Sequence, residues 1–150
     1  MTLAELIEGG VISFLETKSR DKALEQLVEA LADAGELADK KDFLKALLAR
    51  EEIASTGIGM GVAIPHAKLP TLSRFFLAIG LQKGGEGVEW GAPDDVPIQL
   101  IFMIGGPANQ QTEYLKILSH LTFAIKDEER RKSLMNAKTK EEVIKLFEGC

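Results

Sequence analysis

The stretch Arg50-Glu51-Glu52-Ile53-Ala54-Ser55-Thr56-Gly57-Ile58-Gly59-Met60-Gly61-Val62-Ala63-Ile64-Pro65-His66-Ala67 is where the chain changes character. Helical spacing of apolar residues ends here, and glycines alternate with other residues instead. Gly57, Gly59 and Gly61 permit tight turns and let backbone N–H groups approach an anion closely. Ser55 and Thr56 offer hydroxyl donors to such an anion, and can equally serve only to cap a turn. Val62-Ala63-Ile64 then reads as a short buried strand that delivers Pro65-His66 at its end, where α/β folds place their chemistry. Proline fixes its own φ and restricts Ile64, so the imidazole is presented by a stiff backbone.

On the amino-terminal side of this stretch the periodicity is helical. Thr2 followed by Glu5 has the form of a capping box, predicting a helix over residues 2–8 that Gly9-Gly10 stops. Val11 to Leu15 reads as a strand. From Arg20 to Ala34 the residues Ala23, Leu24, Leu27, Val28 and Leu31 fall on one helical stripe, with Gly35 as the stop. A further helix begins at Lys40, with Phe43, Leu44, Leu47 and Leu48 as its stripe. Between Ala54 and Thr71 that periodicity is lost.

On the other side, Phe75 to Leu81 and Ile98 to Ile104 are dense in β-favouring apolar residues. A glycine turn at Gly84-Gly85-Glu86-Gly87 and a short piece at Val88-Glu89-Trp90 lie between them. Helices are expected over residues 110–126 and 128–137, and again after Thr139, whose spacing to Glu142 repeats the capping-box pattern. Helices at both ends around central strands predict an α/β fold, a mixed β-sheet flanked by helices on both sides in an α/β/α sandwich. Residues 1–150 read as one domain, without repeat, linker or low-complexity segment.

Composition narrows the function classes. The 150 residues are 45% hydrophobic and 27% charged, an ordinary globular balance. The 23 Asp and Glu against 18 Lys and Arg give a net charge of −5, which argues against nucleic acid or an anionic membrane as the main partner. Cys150 is the sole cysteine, excluding an intrachain disulfide and a multi-cysteine zinc site. The opening residues are acidic and lack a long apolar run, and no apolar run approaches a bilayer's thickness. A cytoplasmic chain without membrane insertion is the expectation. Only His66 and His120 are available for imidazole chemistry.

Histidine suits phosphoryl capture, because an unperturbed pKa near about 6.5 leaves much of it neutral and nucleophilic at neutral pH. Phosphoryl transfer asks a protein mostly for positioning and for neutralisation of the equatorial oxygens. Glycine N–H groups, two hydroxyls and a guanidinium would supply both, and Arg50 is the nearest plausible guanidinium. A Walker loop would end in Gly-Lys-Ser/Thr, whereas this one ends in Pro-His. The dinucleotide fingerprint fails as well, since no strand precedes these glycines and no helix follows them.

The stretch resembles the phosphohistidine signature of bacterial phosphotransferase-system (PTS) EIIA type-2 domains, those of the fructose, mannitol and nitrogen-regulatory kind. That signature asks for an acidic or amide residue, a six-residue gap, an aliphatic-Gly pair, and aliphatic-Ala-aliphatic-Pro-His. Glu51, Ile58-Gly59 and Val62-Ala63-Ile64-Pro65-His66 meet every element. Gly87-Val88-Glu89-Trp90, Ile101-Phe102-Met103-Ile104, Asp127-Glu128-Glu129 and Thr139-Lys140-Glu141-Glu142-Val143 extend the likeness over nearly the whole chain. The resemblance implies that His66 accepts a phosphoryl group from the phosphocarrier protein HPr and donates it to a IIB domain, with no metal, nucleotide or other cofactor. Arg50 matches the family's phosphate-stabilising arginine. Fructose-like sugar uptake is the first reading. A nitrogen-type regulatory protein that controls transporters, kinases or regulators by contact is the alternative.

One departure concerns the family's second histidine, which sits in a His-Leu-x-x-Leu context. Here that context is Tyr114-Leu115-Lys116-Ile117-Leu118. On a helical wheel Tyr114 falls with Leu118, Leu121 and Ile125, and His120 falls with Glu113 and Lys116. Tyr114 therefore takes the second-histidine position, and either contacts phosphate or only edges the core. Thus His66, Arg50, Ser55, Thr56, Gly57 and Tyr114 form the expected site. His120, Glu51-Glu52 and Asp94-Asp95 read as solvated, and Trp90 as packing.

Overall fold

The structure is a computed structural model and describes residues 2–83 and 85–150. Gly84, in the expected glycine turn, lies outside them, as does Met1 at the head of the first segment. Thr2 caps helix α1 (Leu3–Glu8) through the reciprocal box with Glu5 that the sequence predicts. Strand β1 (Val11–Leu15) follows, then helices α2 (Arg20–Asp33) and α3 (Lys40–Ile53), capped by Ser19 and Asp39 side chains. The glycine stretch forms β2 (Gly57–Gly59) and β3 (Val62–Ala63), and β4 (His66–Leu69) comes next. Strands β5 (Phe76–Gln82) and β6 (Leu100–Pro107) precede helices α4 (Gln111–Ile125), α5 (Glu128–Asn136) and α6 (Lys140–Leu146). Val88 does not open a strand of its own; it makes a single bridge to Ile98.

The sheet runs β1-β5-β6-β3-β2, with β4 also paired to β6. Pairing is parallel for β1 with β5 and for β3 and β4 with β6, and antiparallel for β5 with β6 and β2 with β3. Every residue of β5 and β6 is buried, as a strand covered on both faces requires. Leu77, Ile79, Leu100, Phe102 and Ile104 turn to a core shared with α1, α4, α5 and α6. Phe76, Ala78, Ile101 and Met103 turn to a second core under α2 and α3. The mixed α/β/α sandwich expected from the sequence is the observed fold.

The sequence reading ends its strand at His66, and the structure corrects this. Val62 pairs with Leu100 and His66 with Ile104, so β3 and β4 lie along β6 in one register. The break between them falls at Pro65, which has no N–H to give the ladder. The Ile64 N–H turns instead to the Thr56 carbonyl at 3.0 Å, and the Ile104 N–H reaches Pro65 O at 3.0 Å. His66 therefore opens a strand segment. Alternation then puts His66 and Lys68 on the same side of it, the side of Ile64 and of the core under α4. No helix among the described residues is long and apolar enough to cross a membrane.

Candidate functional site

His66 is half-buried, and its Nδ1 lies 3.0 Å from the Ile64 carbonyl oxygen. A carbonyl can only accept, so Nδ1 carries the proton and Nε2 keeps its lone pair. Burial holds the imidazole's pKa below its ordinary value; the Ile64 carbonyl opposes this, Arg50 and Lys68 reinforce it, and Glu51 opposes it. The ring is thus a neutral base with its nucleophilic nitrogen fixed in direction by a backbone bond.

Tyr114, on the buried stripe of α4, packs beside it with ring centroids 5.5 Å apart. Burial pushes the Tyr114 phenol up, against a lowering by Arg50, so it remains a hydroxyl donor at neutral pH. Arg50 arrives from the last turn of α3, where its Nη1 donates to Ala54 O at 2.7 Å. Among the described residues this is its only hydrogen bond, which leaves the rest of its donor fork for a ligand. The helix end thus holds the guanidinium in a place where its charge is felt by both rings.

Three expected phosphate donors have other employment. The Ser55 hydroxyl donates to Trp90 O at 2.8 Å and accepts the Gly57 N–H at 3.1 Å. The Thr56 hydroxyl donates to Glu51 Oε2, and the Thr56 N–H reaches Glu51 Oε1 at 3.0 Å. The Ser55 and Thr56 hydroxyls and the Thr56 and Gly57 N–H groups are therefore all engaged within the protein in this conformation, and they build the wall of the site. Gly57 fits there for want of a side chain, since a Cβ would lie 2.9 Å from the Ala92 Cβ.

That wall contains a carboxylate the sequence reading leaves in solvent. Glu51 is only 5% exposed and accepts the Trp90 indole N–H at 3.1 Å as well as both Thr56 donors. The indole lies 3.2 Å from Thr56 Oγ1 too, so Trp90 is bound as well as packed. A helix places Glu51 one turn on from Leu47 and two from Phe43, on the buried stripe, and that spacing was legible. Asp94 is likewise engaged, accepting the Met60 N–H at 3.0 Å and the Val96 N–H at 3.1 Å. Those bonds hold its carboxyl below the usual range. They clamp the β2–β3 turn, where Gly59, Met60 and Gly61 all have positive φ.

Lys68 is the residue the sequence reading missed. Its ammonium sits 4.4 Å from the Tyr114 ring centroid and bonds the Gln111 side-chain oxygen. The signal was the period of two from His66, hidden because the strand was ended too soon. His120 is exposed on the polar side of α4, as expected, and lines a cavity of about 410 Å³ against α1. No group of three His, Cys, Asp or Glu residues among those described is placed to hold a metal.

Known proteins of one family share this chain's sequence and fold. The sequence family described as "Phosphoenolpyruvate-dependent sugar phosphotransferase system, EIIA 2" matches residues 5–150. The PTS system fructose-specific EIIA component of Haloferax volcanii is 38% identical over 125 residues, 83% of this chain and 80% of that protein. The fructose-specific EIIABC component of Bacillus subtilis is 34% identical over 148 residues, 98% of this chain, which spans just 23% of that protein. The crystal structure of nitrogen regulatory protein IIA-Ntr from Neisseria meningitidis superposes with a TM-score of 0.85 at 30% identity, covering 96% of this chain and 97% of that one.

Proposed function

Because the chain belongs to the EIIA type-2 family of the phosphoenolpyruvate-dependent sugar phosphotransferase system, and so is a phosphotransferase component, we propose that His66 is its phosphoryl-carrying residue. HPr is the donor, a IIB domain the acceptor, and the cytoplasm the place of exchange. Residues 1–150 act as one EIIA unit, in fructose-like sugar uptake.

The observation that carries this reading is the Nδ1 bond to Ile64 O in an imidazole that also feels the Arg50 charge. Nε2 attacks the phosphorus of the donor's phosphohistidine, and the donor's N–P bond breaks with its electron pair returning to the donor ring. No proton has to move on His66, because Nδ1 already holds one. As the imidazole becomes an N-phosphoryl imidazolium, the Ile64 carbonyl stabilises the new ring charge, and Arg50 faces the phosphoryl oxygens. Burial lowers the free imidazole's basicity, and a less basic ring nitrogen is also the better leaving group when the phosphoryl passes on. Each direction of the relay therefore uses the same setting.

Incubation with phosphoenolpyruvate, enzyme I and HPr should label the protein stoichiometrically, and His66→Ala should abolish the label. Equal labelling of the variant would refute the assignment. The likeness to IIA-Ntr favours a second reading, regulation by contact, in which phosphorylation changes local charge by nearly two units. In that case His66→Asp should alter which cytoplasmic proteins are captured, while transfer to IIB domains is absent.

A further inference from the structure

We propose that Lys68 is a second phosphate-binding cation of the His66 site, parked between transfers on the Tyr114 ring and the Gln111 amide. The inference rests on the carrier reading above and adds a residue that its motif does not contain.

Lys68 follows His66 by two positions on β4, so both side chains leave the strand on the same side, about 6.6 Å apart along it. The imidazole is 5.5 Å from the Tyr114 ring and the ammonium 4.4 Å from it, so the two groups lie within about 10 Å of each other. A lysine stem on four rotatable carbons spans such a gap by rotamer change. Its charge already acts on the imidazole in the same sense as that of Arg50.

What holds Lys68 is neutral. No carboxylate among the described residues pairs with it; its partners are the Gln111 side-chain oxygen and an aromatic face. Neutral partners hold a cation loosely, and a phosphoryl group bearing nearly two negative charges is a stronger acceptor than either. Tyr114 thereby gains a role distinct from that of an imidazolium. Its ring stores the cation beside the histidine, and the lysine brings the charge that a phenol lacks.

The transfer balances without Lys68 gaining or losing a proton. The Nε2–P bond forms on His66 while the donor's N–P bond breaks, and Lys68, an ammonium throughout, exchanges the Gln111 oxygen for a phosphoryl oxygen. Gln111 is left to water at the exposed start of α4.

The test uses the whole chain with limiting phospho-HPr. Lys68→Gln should slow labelling of His66 about tenfold, Lys68→Arg should restore most of the rate, and Gln111→Ala should match or exceed the unaltered protein. Phosphorus NMR of the phosphorylated protein adds a readout that packing alone would not move. The phosphoryl group should titrate at higher pH in Lys68→Gln than in the unaltered protein, because a nearby cation has been lost. Labelling of Lys68→Gln at the unaltered rate with an unchanged phosphoryl titration would overturn the inference and leave the carrier reading standing. Equal slowing in Lys68→Gln and Lys68→Arg, with no change in titration, would also overturn it, because that pattern belongs to packing against Tyr114. Failure of the unaltered protein to label at His66 would overturn both.

Discussion

Replacing Glu51 by alanine should cost far more than removing an ordinary helix-end acid. The carboxylate is buried and accepts from the Thr56 N–H, the Thr56 hydroxyl and the Trp90 indole. After truncation the indole still has Thr56 Oγ1 at 3.2 Å. The Thr56 N–H has no second acceptor among the described residues, and the Thr56 hydroxyl can rotate only within a buried pocket. One to two buried donors are thus orphaned at about 1–3 kcal/mol each, so the loss should be about 1–6 kcal/mol. Thr56→Val removes the hydroxyl but leaves Glu51 with two of its donors, and should cost about 1–2 kcal/mol. Urea unfolding at neutral pH, followed through Trp90 and through far-UV dichroism, measures both variants and the double variant. Coupling of about 1 kcal/mol or more between the two positions is expected, because they share a single network. The reasoning fails if Glu51→Ala shifts stability by less than about 0.5 kcal/mol, the range of uninvolved surface positions.

Three further outcomes follow from the structure. The His66 imidazole should titrate below about 6.5 by NMR, with its proton on Nδ1 in the neutral form, and Arg50→Gln should raise that pKa. Between the depressed folded value and the ordinary one, the unfolded chain binds a proton that the folded chain does not. The contribution of this group to stability is therefore intact above pH about 6.5, and is lost as pH falls through that value towards the folded pKa. His66→Ala should flatten that part of the stability profile. Gly105→Ala should lose about 1–3 kcal/mol by thermal or urea unfolding, since a Cβ there would lie 2.3 Å from Phe76 Cζ and 2.8 Å from Phe43 Cε1. Those two rings pack on each other with centroids 5.5 Å apart, so neither has room to yield.

Helices and their limits were legible because they are made by neighbours. The Thr2–Glu5 box, the Thr139–Glu142 spacing and the apolar stripe of α2 all act over three or four residues, which a one-dimensional reading spans. The motif around His66 was legible for the same reason: backbone stiffness at Pro65 and the 3.0 Å bond to Ile64 O are local. The assignment of Tyr114 rather than His120 to the interior of α4 also followed from helical geometry, and the structure has Tyr114 buried and His120 exposed.

What the sequence by itself determined is the type of the helices and of strands β1, β3, β5 and β6, the imidazole behind Pro65, and the family signature that contains it. Tertiary structure decided which polar groups remain free to act. Thr56 looked like an anion donor until its hydroxyl met Glu51 beneath Trp90, whose indole comes from 39 residues beyond Glu51. Lys68 drew no reading from the sequence, because Gln111, 43 residues on, and the Tyr114 ring that engage it come from another element. A hydrogen bond or a charge is spent on whichever partner folding brings within about 3–4 Å, and for these residues the partners come from other elements of the sandwich. The chain's order carries the residue types; only the packed sheet and its helices settle which of their polar groups are already engaged.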